Sequence, residues 1–287
     1  MRVAAWMFDV CKGDVGANRE AALRGLEAAG KAGAELVLLP EMWPTSFLAS
    51  LGDADPAATL APHVAASLEV VEEIGARAGE LGLAVAGSAY APAGDGRLPF
   101  NRFGLWSEGR ELLGYDKVHL FTLTAEHLAF TAGDRPPGAV ELIGHSGASI
   151  RVAGLVCYDL RFAPVIEAAR AAGAELLLVP AQWPTSRSAH FESLLAGRAT
   201  ESQAFVLGGN RVGEESLGRR RTPLRFEGNA RLVGPDGNVR AAGDGRGEAL
   251  VVGEVDPDEV REVRRQVRVV DDRREALYAD WPRPGTP

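Results

Sequence analysis

The chain has 287 residues, 46% hydrophobic and 24% charged, with a formal net charge of −8, which is room for one large α/β domain with a substantial core. The acidic balance excludes a nucleic-acid groove or an anionic membrane as the main partner, since both call for clustered Lys and Arg. Two cysteines make no disulfide framework, no apolar run approaches a bilayer span, and no signal-like segment precedes the first strand, so a reduced, cytoplasmic protein is the expectation.

Met1 to Trp6 goes straight into a strand, with Cys11, read as structural, just behind it. An alanine-rich helix is predicted over 19–32, and then Glu35-Leu36-Val37-Leu38-Leu39-Pro40 reads as a buried strand that delivers Glu41 into the loop Met42-Trp43-Pro44-Thr45-Ser46-Phe47. A helix over 65–81 and a strand over 83–89 come next, and Glu111 to Asp116 delivers Lys117. Ile150 to Val156 is a further buried strand, ending at Cys157. Tyr158-Asp159-Leu160-Arg161-Phe162-Ala163-Pro164 then opens a helix over 165–172, with Asp159 and Arg161 expected as a buried structural pair. Helix 191–203 and strands 204–209, 229–233 and 249–255 complete the framework, with Pro235-Asp236-Gly237-Asn238 as a tight turn between two strands. Arg219-Arg220-Arg221 is the one basic run, a solvated loop or a partner contact, and the tail from Asp256 to Tyr278 is highly charged.

A thiol at a strand-to-helix elbow points out of the carboxyl edge of a sheet, where open α/β folds place their sites. Glu41, Lys117 and Cys157 each follow a buried strand, and together they supply a base, an electrophilic stabiliser and a nucleophile. Other chemistries find no support. The nearest approach to a serine elbow, Gly144-His145-Ser146-Gly147, has the wrong spacing, and there is no phosphate loop, dinucleotide fingerprint or zinc spacing.

Gly33-Ala34-Glu35-Leu36-Val37-Leu38-Leu39-Pro40 recurs as Gly173-Ala174-Glu175-Leu176-Leu177-Leu178-Val179-Pro180, and Trp43-Pro44-Thr45-Ser46 recurs as Trp183-Pro184-Thr185-Ser186. Two related α/β halves, each giving one mixed sheet, predict a four-layer αββα sandwich with a pseudo-twofold internal repeat. The echo breaks at Glu41, which corresponds to Ala181, and at Phe47, which corresponds to Arg187, so a symmetric scaffold would carry an asymmetric site.

Three motifs in this order carry a family resemblance: Leu38-Leu39-Pro40-Glu41, Tyr115-Asp116-Lys117-Val118-His119-Leu120-Phe121, and Gly154-Leu155-Val156-Cys157-Tyr158-Asp159-Leu160-Arg161-Phe162. They resemble the nitrilase superfamily of carbon–nitrogen hydrolases, whose triad runs Glu, Lys, Cys, and the likeness extends from Met1 to Asp272-Arg273-Arg274 as one domain over 1–287. Glu126, seven residues before Gly133, resembles that family's second active-site glutamate. The stretches Cys157 to Phe162 and Gln182 to His190 look most like bacterial omega-amidases.

The resemblance implies hydrolysis of the terminal amide of a short 2-oxo acid, such as 2-oxoglutaramate or 2-oxosuccinamate, with no metal or organic cofactor. It also implies a homodimer or larger assembly in which the tail from about 256 onward crosses to a second subunit. The backbone N–H of Tyr158 would join Lys117 in holding the oxyanion. Arg187 would pair with a substrate carboxylate, with Trp43, Phe121, Tyr158 and Trp183 as pocket walls and His190 nearby. A nitrilase, an N-carbamoyl amidase or a deaminated-glutathione amidase would keep the same triad, and a catalytically silent binding protein on this fold is the alternative of a different class.

Overall fold

Alternation along the first strand sets the layering. A computed structural model describes residues 1–48, 55–94, 96–217, 222–245, 247–278 and 281. Its first half runs β1 (Arg2–Met7), α1 (Val15–Lys31), β2 (Leu36–Leu38), α2 (Pro56–Glu80), β3 (Ala84–Ala91), β4 (Phe100–Ser107) and β5 (Arg110–Asp116). The second begins with β6 (Val140–Ile143), β7 (Ser149–Gly154), α3 (Ala163–Ala171), β8 (Leu176–Ala181), α4 (Ser188–Ser202) and β9 (Phe205–Asn210). It continues through β10 (Val212–Leu217), β11 (Thr222–Glu227), β12 (Arg231–Val233), β13 (Val239–Ala242) and β14 (Ala249–Glu254) to α5 (Pro257–Gln266) and α6 (Glu275–Tyr278). Val3, Ala5 and Met7 of β1 share a core with Val152, Leu176 and Leu178 of the other sheet. Ala4 and Trp6, with Phe8 just beyond the strand, pack instead with Leu26 of α1 and Ile74 of α2. The second sheet is backed by Ile166 and Ala169 of α3 and by Phe191 and Leu195 of α4. The result is the αββα sandwich that the repeat predicts.

The two sheets correspond strand for strand. One has the order β14-β1-β2-β3-β4-β5 and the other β6-β7-β8-β9-β12-β13. In each, a central parallel trio is flanked by antiparallel strands. The echoed segments form β2 and β8, the middle strand of each trio. Their shared residues do the same work. Gly33 and Gly173 end α1 and α3 in the left-handed region at φ 66° and 90°, where glycine alone is unstrained. Glu35 and Glu175 accept the backbone N–H of Arg2 and Arg151 on the neighbouring strands at 2.9 and 3.0 Å.

Several elements differ from the sequence expectation. Helix α2 starts nine residues before the predicted 65, because Asp55 accepts the Ala58 N–H at 3.0 Å and Pro56 fits the first turn. Strands β10 and β11 form a separate two-stranded hairpin. Arg219-Arg220-Arg221 lies outside the described residues. The tail docks on its own chain: Val260 is buried, Arg264 donates to the Ala174 carbonyl at 2.6 Å, Gln203 donates to the Val267 carbonyl at 2.7 Å, and Arg273 pairs with Glu167 of α3 at 3.2 Å.

Candidate active site

The carboxyl ends of β2, β5 and β7 bring Glu41, Lys117 and Cys157 into one buried cluster. One of the three sits on strained backbone, and a second is followed by it. Cys157 itself has φ 44°, and the Glu41 loop contains Met42 at 48° and Ser46 at 56°. Each such non-glycine residue costs about 1–3 kcal/mol and persists only where its surroundings impose it. For the thiol elbow those surroundings are the buried Asp159, which accepts Val156 N–H at 3.2 Å, His119 N–H at 3.0 Å and the Tyr115 hydroxyl at 3.0 Å. Cys157 opens a short helical turn, so the N–H of Tyr158 lies where a helix start leaves donors without an intrahelical acceptor.

Lys117 is the hub. Its Nζ donates to Glu41 Oε1 and to Glu126 Oε2, each at 2.8 Å, and all three side chains are nearly or fully buried. Glu41 Oε1 also accepts from Asn101 Nδ2 at 2.9 Å, and Oε2 accepts the backbone N–H of Gln182 at 3.1 Å. A carboxylate offers about four lone-pair sites, so three donors leave one free, on the oxygen that Lys117 does not touch. Glu126 follows Ala125, held at φ 62°, and also accepts the Phe121 N–H at 3.0 Å. Gly133 lets the chain after Glu126 lie against Lys117: its N–H reaches the Lys117 carbonyl at 2.9 Å, and a Cβ there would strike the Asp116 carbonyl.

Burial and the charge of Glu41 push the Cys157 thiol well above its ordinary range, against the pull of Lys117, so the resting sulfur carries its proton. Burial opposes the Lys117 ammonium, but Glu126, Glu41 and Cys157 outweigh it and raise its pKa, so it stays charged. Burial also raises Glu126, with Glu41 adding to the effect and Lys117 opposing it. A neutral thiol beside a carboxylate and a fixed cation is an arrangement for moving a proton as the sulfur attacks.

A cavity of about 670 Å³ ends on Glu41, Glu126 and Cys157. Phe121, Tyr158, Trp183 and Arg187 line it, together with Arg161, Phe47 and Leu224. Three expectations are corrected. Trp43 does not line this cavity: its indole packs with Leu39 and Val85 beneath α2, on the far side of the first sheet. His190 is exposed on α4 and stands outside the cavity, with Nδ1 3.2 Å from Arg161 Nη2. Asp159 and Arg161 are not a pair. Tyr115, His119 and the Val156 amide satisfy the carboxylate, while Arg161 lies over the Trp183 ring at 4.7 Å and faces the cavity.

Sequence reading also missed Asn101, Gln182 and Arg211 as site residues. Each is a buried polar group, and for Asn101 the signal was present: an amide in the apolar alternation of β4 needs a partner. Among the described residues, no group of three His, Cys, Asp or Glu side chains could hold a metal, and no helix is long and apolar enough to cross a membrane.

A double-sheet α/β sandwich with a buried carboxylate, ammonium and thiol at its strand ends defines a class, and the chain belongs to the carbon-nitrogen hydrolase family, whose sequence profile matches residues 2–265. It is a cysteine-dependent amidase. The 2-oxoglutaramate amidase of Bacillus subtilis (strain 168) is 32% identical over 277 residues, covering 96% of this chain and 98% of the relative. Omega-amidase YafV of Escherichia coli (strain K12) is 32% identical over 237 residues, 83% of each chain. The crystal structure of an amidase from Nesterenkonia sp. superposes with a TM-score of 0.80 at 27% identity, covering 98% of this chain and 96% of that one. A glutamate mutant of the amidase from Nesterenkonia sp. AN1, with acrylamide added at its active site cysteine, superposes equally well at 0.80 and 26% identity, covering 98% and 100%.

Proposed function

We propose that the chain hydrolyses the terminal amide of a short 2-oxo acid, with 2-oxoglutaramate and 2-oxosuccinamate as leading substrates, through a thioester on Cys157. One observation carries the substrate class. Two guanidinium groups, Arg161 and Arg187, line the same cavity as the thiol, and among the described residues neither is paired with a carboxylate. An unpaired arginine on a cavity wall suits a substrate carboxylate, and the other end of a small dicarboxylate monoamide then reaches Cys157. The names of the Bacillus and Escherichia relatives agree with this reading.

In the proposed cycle Glu41 takes the thiol proton as sulfur bonds to the amide carbon. Lys117 Nζ and the Tyr158 N–H hold the oxyanion, a contribution of roughly 3–4 kcal/mol per donor where such donors have been deleted. Glu41 passes its proton to the nitrogen, the carbon–nitrogen bond breaks, and ammonia leaves. Water then gives a proton to Glu41 and attacks the thioester, the acid departs, and the thiol regains its proton. Glu126 keeps Lys117 charged and aimed. The test is ammonia release from 2-oxoglutaramate, 2-oxosuccinamate, glutamine and an aliphatic nitrile, with Cys157→Ala as control. Fast release from the 2-oxo amides, lost in the variant, is expected. Release only from another member of the panel would keep the thiol chemistry and overturn the substrate.

A further inference from the structure

The Glu41 carboxylate does not hold itself in place. Gln182, from the second half of the repeat, grips it twice: its backbone N–H donates to Glu41 Oε2 at 3.1 Å, and its side-chain Nε2 donates to the Glu41 carbonyl at 2.9 Å. The side-chain grip needs the Gln182 amide to face one way, and Arg211 fixes that by donating from Nη1 to Gln182 Oε1 at 3.1 Å. Arg211 is 1% exposed, yet it carries a full charge. Its guanidinium is compensated by Glu215 at 2.5 Å and Asp9 at 2.6 Å, bonds the Val212 carbonyl at 3.2 Å, and lies over the Phe226 ring at 4.8 Å. Glu215 in turn accepts from Ser46 Oγ at 2.6 Å.

One buried guanidinium therefore reaches both ends of the strained loop, Glu41 through Gln182 and Ser46 through Glu215. In the repeat Glu41 corresponds to Ala181, so the half that lacks the carboxylate supplies the clamp for the half that has it. A buried ion network costs desolvation and is often no more stable than an apolar replacement, so stability alone gives a poor reason for this one. Geometry gives a better one.

We propose that Arg211 and Gln182 are positioning residues that hold Glu41 in register with Cys157 and Lys117. The inference rests on Glu41 being the base, as proposed above. Displacing a reacting group by about an ångström costs about a hundredfold in rate. Gln182→Met removes the side-chain grip and spares the backbone N–H; kcat is expected to fall about a hundredfold while KM stays nearly constant. Arg211→Lys keeps the charge facing Glu215 and Asp9 but loses the fork, and a smaller loss is expected. Because the two act in series, the double variant is expected to lose no more than Gln182→Met alone.

The experiment combines kcat and KM on 2-oxoglutaramate with ultraviolet titration of the Cys157 thiolate, in a Cys11→Ser background so that one thiol is seen. Glu41 raises the thiol pKa, so Glu41→Gln is expected to bring the thiolate in at lower pH, and Gln182→Met to move it part of that way. The titration needs no substrate. Should Arg211→Lys yield no folded protein, Glu215→Gln, which frees the same guanidinium, replaces it in the cycle. An unmoved titration and unchanged kcat in Gln182→Met, with only a lower melting temperature, would overturn the inference, as would losses that multiply in the double variant. If Glu41→Gln itself leaves the titration unmoved, the assignment of Glu41 as base fails instead.

Discussion

Replacing Lys117 with methionine keeps nearly the same length and volume and removes only the charge. Wild-type Lys117 Nζ sits 2.8 Å from both Glu41 and Glu126, whose side chains are 1% and 7% exposed. Stripping the cation from buried partners destabilises by about 3–5 kcal/mol, because the carboxylates are left uncompensated. For 287 residues that corresponds to a melting temperature lower by about 5–8 °C. The deficit should depend on pH. Without the ammonium the folded carboxylates hold protons more tightly than in the unfolded chain. The native state then binds more protons, so stability falls as pH rises from the unfolded Glu value, about 4.3, upward. Thermal unfolding of both proteins at pH 5 and pH 8, in buffers of equal ionic strength, is the assay. The gap from wild type should be larger at pH 8. An equal gap at both pH values would refute the account of two desolvated carboxylates held by one cation. Activity should fall about a hundredfold to a thousandfold at either pH, as for loss of one oxyanion donor.

Glu126→Gln removes a carboxyl whose folded pKa burial has raised, so the native state no longer binds its extra proton. Relative to wild type the variant should gain stability as pH rises above about 4.3, read by urea unfolding, while kcat falls. Arg161→Gln and Arg187→Gln should each raise KM for 2-oxoglutaramate by about tenfold to a hundredfold, the worth of a hydrogen bond to a charged group, and leave a neutral amide such as butyramide unaffected. Asp159→Asn should slow acylation in stopped-flow ammonia release, because the φ 44° turn at Cys157 loses the charged acceptor that three donors converge upon.

The scaffold was legible because the Gly33 and Gly173 segments repeat the same helix stop, strand and proline, and Glu41 and Cys157 as candidates because each follows a buried apolar strand; β5, which leads to Lys117, is largely half-exposed. What escaped was orientation. Trp43 and Trp183 occupy equivalent places in the repeat, and the sequence treats them alike. One is enclosed beneath α2, whereas the other has its ring covered by Arg161 at the cavity wall. Spacing suggested Asp159 with Arg161, but the partners of Asp159 come from β5 and the segment behind it, and those of Arg161 are Trp183 and His190 of α4, which no local pattern reveals. The β10–β11 hairpin was missed because Val212 to Leu217 and Thr222 to Glu227 mix charges with apolar residues and show no clean alternation. Its Leu224 nevertheless reaches the cavity, and its Glu215 holds the Arg211 network.

The most direct measurement is mass spectrometry of the enzyme quenched by acid during turnover of 2-oxoglutaramate. The account predicts an adduct equal to the substrate less ammonia on the peptide that carries Cys157, absent from Cys157→Ala, which also releases no ammonia. Turnover at the wild-type rate by Cys157→Ala, or an adduct on any other residue, would contradict it.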